Sequence, residues 1–242
     1  MADPFLTSVV TAMMDDTMTV MADAVAETWR SVPDLSDEAA TAAVTNVIPL
    51  VAGAQRAVSA LSATYVTRVT DVPFGAPEVA TLDPEADWNY SPVIQARTLV
   101  GQGAEVVVAL DVAARRAAQV HTGDVLRARS DASSALSAGV EPIRPIRWAK
   151  VPGPTACSWC RTVSTKLYYR PDGLPVHLHD RCGLDAVTPM EAGGYSNAST
   201  VFTNYRWRSR VSTSEVAQAQ KLMADEATRL AASAQARMRR AA

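Results

Sequence analysis

The three cysteines of this 242-residue chain, Cys157, Cys160 and Cys182, all fall within 26 residues, and His177 and His179 lie between the last two. Cys157 and Cys160 form a C-x-x-C pair, which lets one tight turn direct two thiolates at a single ion. His179 and Cys182 form an H-x-x-C pair, and 18 residues separate the two halves. This spacing is typical of a closed tetrahedral zinc site. We therefore predict structural Zn²⁺ on Cys157, Cys160, His179 and Cys182.

Three alternatives to this ligand set stay open. His177 competes with His179 for the fourth position, although H-x-x-C mirrors the C-x-x-C turn better. A Cys157–Cys160 disulfide would leave Cys182 without a disulfide partner, which is unfavourable in an oxidising compartment. A redox pair of the thioredoxin type normally follows a strand and opens a helix, and the residues after Cys160 do not indicate a helix.

The residues around these ligands form a wider pattern. Cys157-Ser-Trp-Cys160 is followed by Leu167-Tyr168-Tyr169, Leu174-Pro175, His179-Asp180-Arg181-Cys182 and Pro189. This order resembles the C-terminal signature of the phage Mu F-like minor head proteins, the phage head morphogenesis family. Two differences stand out. Leu184 occupies the position of a last family cysteine, and His177 and Leu178 lengthen the segment before the histidine. The likeness covers about 35 residues closely.

The resemblance implies a virion protein inside the capsid near the portal vertex, present in the host cytoplasm during assembly. It implies the portal protein as a partner, with the major capsid or scaffold protein as further candidates. It implies a role in head assembly and in DNA packaging or ejection, carried out by binding, so that no residue is catalytic.

The charge pattern divides the chain. Residues 1–141 hold 8 Lys and Arg against 18 Asp and Glu, whereas residues 142–242 hold 15 against 7. Such asymmetry indicates regions with different partners, or one region that docks on the other. We predict an acidic helical region over 1–141, a zinc-knuckle β unit over 142–190, and a basic linker with a C-terminal helix over 191–242.

The expected fold is mainly α. Hydrophobic residues make up 48% of the chain but aromatic residues only 6%, so closely packed helices are favoured. Apolar spacing predicts helices over 4–31, 37–70, 91–138 and 212–240, with a break at 101–103. Pro49 is expected to kink or split the second helix. In the first helix the predicted buried stripe is Phe5, Val9, Met13, Val20, Ala24 and Trp29.

Short strands are predicted within 142–151, 166–169 and 174–178, around a turn at Pro171-Asp172-Gly173. A unit of this size buries little core, so zinc would supply folding energy. No apolar run is long enough for a transmembrane helix, and the N-terminus lacks the basic region of a signal peptide. We therefore expect a cytoplasmic chain that does not contact a membrane.

The basic residues near the C-terminus have two interpretations. They either complement the dipole of the last helix or contact the phosphates of DNA without sequence preference. The candidates for DNA contact are Arg206, Trp207, Arg208, Arg210, Arg237, Arg239 and Arg240.

An enzyme is the alternative function, either a capsid maturation protease or a zinc-supported nuclease. A ββα-metal nuclease would need a second C-x-x-C pair and a later histidine or asparagine on a helix. A serine protease needs its histidine beside a serine carried on a strand. The remaining histidine, His121, is predicted on a helix, where a capping or surface role is more common than catalysis.

Overall fold

Helices dominate the computed structural model, which describes residues 4–153, 156–171, 174, 182–203 and 211–241. The prediction of a mainly helical chain is confirmed. The α-helices of the described residues are α1 Pro4–Arg30, α2 Asp37–Thr70, α3 Asp87–Gly101, α4 Val106–Val140, α5 Ser158–Val163, α6 Ala198–Val201 and α7 Thr213–Ala241. The strands are β1 Arg147–Val151, β2 Leu167–Tyr168 and β3 Gly183–Val187, and a short 3-10 helix spans Ala192–Gly194.

Helix α4 lies at the centre of the helical layer, in contact with α1, α2, α3 and α7. Small side chains face its neighbours, and Ala109, Ala113, Ala114 and Ala117 are buried. Because an alanine projects little beyond the backbone, several helices approach α4 closely. The Ala-rich composition is thus the means by which one helix packs against four others.

Helix α2 begins and ends close to the predicted residues. Ser36 is its N-cap, and the Ser36 hydroxyl accepts a hydrogen bond from the Ala39 amide at 3.2 Å. Asp71 ends the helix in a left-handed conformation at φ 57°. The helix runs unbroken through Pro49, so the expectation that this proline splits it in two is wrong. Pro49 is exposed, so its ring and missing N–H face away from the core.

The buried face of α1 differs from the predicted stripe. Trp29 is buried as expected, but Val9, Met13 and Val20 are exposed. The residues that α1 buries are Val10, Met14, Met18, Met21, Val25, Ala26 and Trp29. Apolar residues lie on more than one face of this helix, so spacing alone does not select the face that packs against α2 and α4.

Helix α3 starts earlier than predicted, at Asp87, with Ala86 as its N-cap. Ser91-Pro92 is therefore inside the helix instead of opening it. The predicted break is confirmed, since α3 ends at Gly101 and Gly103 takes a φ of 94°, which favours glycine. Helix α7 opens with the predicted capping box: the Glu215 carboxylate accepts from the Ser212 amide at 2.9 Å, and the Ser212 hydroxyl accepts from the Glu215 amide.

The sheet is antiparallel, with strand order β2-β1-β3. On one face Trp148 and Ala186, which are opposite each other, belong to the core shared with the helices. On the other face Ala149, Leu167 and Val187 pack with Ala192 and Val201. Both faces are therefore covered, and the first continues the helical core without a break.

Strand β3 was not predicted, and only Leu174 of the predicted strand 174–178 is described; it is buried in a bend.

Candidate metal centre

The register of the sheet determines where the cysteines lie. Val151, the last residue of β1, is paired with Gly183, the first residue of β3. Cys182 immediately precedes β3, and the chain that leaves β1 reaches Cys157 six residues later. The C-x-x-C segment and Cys182 therefore leave from the same end of the sheet. A shared metal site requires such a common end, although the common end does not by itself bring the thiols together.

The C-x-x-C segment forms the start of α5. Cys157 is the N-cap, and its Sγ accepts a hydrogen bond from the Cys160 amide at 3.5 Å. Cys157 is exposed, whereas Cys160 is only 1% exposed. The C-x-x-C segment thus places one exposed and one buried thiol in the first turn of α5.

The helical conformation of 158–163 corrects the expectation that the residues after Cys160 are not helical. Cys157 follows β1 and opens α5, which is the general context of a redox dithiol. The C-x-x-C segment therefore has the local structure of a redox dithiol as well as the spacing of a zinc site. No disulfide joins the three cysteines, all of which the structure describes.

Cys182 is held against the helical core. Its side chain is buried, and its carbonyl oxygen accepts a hydrogen bond from Nη2 of the buried Arg129 at 2.9 Å. Farther along β3, the Tyr65 hydroxyl of α2 donates to the Asp185 carboxylate and accepts from the Ala186 amide at 3.2 Å. Helices α2 and α4 thus fix the strand that follows Cys182.

Lys150 adds a positive charge beside the C-x-x-C helix. Its Nζ lies 5.2 Å from the centroid of the Trp159 ring, which belongs to α5. Lys150 is 4% exposed even though it carries an ammonium group. Such cation–π contacts gain strength when the cation is removed from water. Lys150 was not among the predicted site residues, although the alternation of 142–151 is a signal that places it on one face of β1, near the end that leads to Cys157.

The described residues meet only some of the requirements of a zinc site. No group of three or more His, Cys, Asp or Glu side chains among the described residues is arranged to hold a metal ion. Cys157 and Cys160 share one helical turn and Cys182 leaves the same end of the sheet, but the three do not form such a group. His177 and His179 lie outside the described residues. The donor chemistry suits zinc, and the whole ligand set of Cys157, Cys160, His179 and Cys182 remains a prediction.

His121 is not a surface residue. It is 2% exposed, and its Nδ1 lies 3.1 Å from Oδ2 of Asp124, one turn later on α4. Asp124 is buried too, and its Oδ1 lies 3.6 Å from a guanidinium nitrogen of Arg127. The expected capping or surface role is wrong, since His121 is part of a buried polar cluster.

The residues predicted to contact DNA fall largely beyond the described part of the chain. Arg206, Trp207, Arg208 and Arg210 lie outside the described residues, as do the side chains of Arg237 and Arg240. Arg239 is exposed on α7.

Comparison of the chain with models of protein families, with the curated proteins and with the solved structures finds no match. Among the described residues, no helix combines the length and the apolar character needed to cross a membrane.

Proposed function

We propose that this chain is a minor head protein of a tailed phage. It would lie inside the capsid near the portal vertex, bind the portal protein, and assist head assembly and DNA packaging or ejection. The proposal is supported by the ordered C-x-x-C, aromatic, H-x-x-C and proline pattern, together with the register that takes Cys182 and the C-x-x-C segment out of the same end of the sheet. The mechanism is binding.

In this proposal zinc on Cys157, Cys160, His179 and Cys182 is structural. Four protein ligands leave no coordination position for water or substrate, so the metal would contribute folding energy. It would join α5 to the start of β3. Strand β3 is already attached to α2 through Tyr65, and Cys182, just before the strand, is attached to α4 through Arg129. The zinc unit would thereby become a rigid extension of the helical layer.

The two parts of the chain carry opposite charge, which suggests that they bind different partners. The helical part to residue 141 carries the acidic excess, and the part after it carries the basic excess. The acidic helical surface would serve as the protein-docking region. The basic C-terminal residues would face either phosphates or an acidic partner surface.

Quantitative mass spectrometry of purified virions tests this function. The proposal predicts intact chain at a few to tens of copies per particle, and its loss from particles assembled without the portal protein. Absence from mature particles, alongside cleaved capsid protein, would instead support the maturation protease. A chain that is absent from the particles and degrades DNA in a zinc-dependent manner would support the nuclease.

A further inference from the structure

A cavity lies between α2, α4, α7 and the connector of residues 71–86, which joins α2 to α3. Its volume is about 550 Å³. Small-molecule sites in proteins typically measure about 300–1,000 Å³ and combine an apolar lining with a few polar groups. The cavity is separate from the cysteine segment, and the proposed assembly role makes no use of it.

One side of the cavity carries negative charge. Asp124 and Asp131 of α4 line it, and Glu78 joins them from the connector. Arg127 is the one basic residue among the described lining residues, and it is the residue near Asp124 Oδ1. Three carboxylates against one guanidinium favour a cationic ligand over an anionic one.

Gln55 provides an independent indication of a ligand. This α2 residue lines the cavity and is 5% exposed. Its Nε2 donates to the backbone oxygen of Asp124 at 3.4 Å, whereas its Oε1 accepts no hydrogen bond from any described residue. A buried acceptor without a donor is costly. A ligand N–H group would supply the donor.

The opposite side of the cavity is apolar. Helix α7 contributes Ala227, Leu230, Ala231 and Ala234, which recur at helical spacing. Val79 and Leu82 of the connector add two aliphatic side chains. Short alanine side chains leave room that larger residues on α7 would fill. The lining is therefore divided into an acidic side with a buried acceptor and an aliphatic side.

We propose that this cavity binds a small organic cation, an ammonium or guanidinium group carried on an apolar body. The cationic N–H groups would face Gln55 and Asp124, and the apolar body would lie against α7. Trp88 also lines the cavity, and its indole Nε1 donates to no described residue, so it is a natural reporter of occupancy.

The test uses the full-length chain labelled with ¹⁵N and three probes of equal chain length: n-hexylammonium, 1-hexanol and hexanoate. The indole N–H signal of Trp88 is identified by its absence in Trp88→Phe. We expect hexylammonium to shift this signal saturably and to bind at least about tenfold more tightly than hexanol, with hexanoate weakest. Equal affinity for hexanoate, or no saturable shift with hexylammonium, would overturn the proposal.

Two variants locate the binding. Ala231→Trp fills the cavity from α7 and is expected to abolish hexylammonium binding while the circular dichroism spectrum stays unchanged. Glu78→Gln, at an exposed connector residue, is expected to weaken hexylammonium binding by about threefold to tenfold and to leave hexanol binding unchanged. Glu38→Gln, an exposed acid of α2 that does not line the cavity, is the matched control. Hexylammonium binding that survives Ala231→Trp, or that weakens equally in both Glu variants, would contradict the assignment.

Discussion

Val151 and Gly183 are paired across β1 and β3, so the two segments that carry the cysteines leave the same end of the sheet. The strand that ends at Val151 leads to Cys157 and Cys160, and the strand that begins at Gly183 follows Cys182 directly. Two segments far apart in sequence therefore leave one end of the sheet. A metal at this end would close the loop between the two strands, which is the kind of constraint that most stabilises a small β unit.

The contact between α4 and α7 depends on Gly139. A Cβ at this position would lie 2.6 Å from the Ala219 carbonyl oxygen and 3.1 Å from the Met223 Cβ. Because the nearest atom belongs to the backbone, α7 would have to move. We expect Gly139→Ala to lower the free energy of unfolding by about 1–3 kcal/mol and to speed proteolysis of α7.

Gly123 offers the matched control on the same helix. A Cβ there would meet nothing within 4 Å. Gly123→Ala should therefore raise the free energy of unfolding by about 0.5–1 kcal/mol, through helix propensity alone. Urea denaturation of both variants measures the difference. Equal effects of the two substitutions would show that α7 does not approach α4 as closely as described.

Trp148 attaches the sheet to the helical layer. Its side chain is 1% exposed, and its indole N–H donates to the Ser137 hydroxyl of α4. We expect Trp148→Ala to cost about 3–5 kcal/mol of unfolding free energy, since it removes a large buried ring. Trp148→Phe keeps most of the ring but loses the hydrogen bond, so a smaller loss is expected. Thermal and urea unfolding measure whether Trp148→Ala costs more than Trp148→Phe. A sheet that unfolds independently of the helices would contradict the attachment of the sheet through Trp148.

Glu226 links α7 to the chain after β2. Arg229 donates two hydrogen bonds to its carboxylate, and Arg170 donates another at 2.8 Å. The hydrogen bonding from Arg229, joined by the charges of both arginines, outweighs burial and holds the pKa of Glu226 below its ordinary value of 4.5. The charged form is thus favoured in the folded chain.

The pH dependence follows from this direction. Glu226 stabilises the folded chain above its unfolded-state pKa, and that stability is lost as the pH falls below 4.5 through the lower folded-state pKa. Glu226→Gln should cost about 0.5–1 kcal/mol at pH 7, because the arginine partners are largely exposed. The cost should shrink toward zero in increasingly acidic buffer. Urea titrations across pH measure it, with the exposed Asp225→Asn as control, and a constant cost at all pH values would count against the linkage.

Much of the helical layer can be predicted from the sequence. The Ser36 cap, the ends of α2, the break at Gly103 and the Ser212–Glu215 capping box follow from local chemistry that needs no tertiary partner. The buried face of α1 could not be predicted in this way. Met14 and Met18 are buried while Met13 is exposed, because the packing of α1 against α2 and α4 determines which face is covered.

The region around the candidate site was also harder to predict, because its structure depends on contacts with residues far away in the sequence. Strand β3 contains Asp185, which interrupts an apolar pattern, and its carboxylate accepts a hydrogen bond from the Tyr65 hydroxyl of α2, a partner far away in the sequence. Helix α5 is short, and its N-cap is a cysteine instead of the usual serine or aspartate. The clustering of the cysteines in sequence was visible, but the pairing of Val151 with Gly183 was not.

Native mass spectrometry of the full-length chain, purified under reducing conditions without chelator, tests the zinc assignment most directly. We predict one zinc ion per chain, lost in Cys157→Ser, His179→Ala and Cys182→Ser but retained in His177→Ala, with unfolding of the region around 150–190 where zinc is lost. A zinc-free chain of unchanged stability would contradict the account. A mass lower by two hydrogens after mild oxidation, with native folding, would assign Cys157 and Cys160 to a redox pair instead.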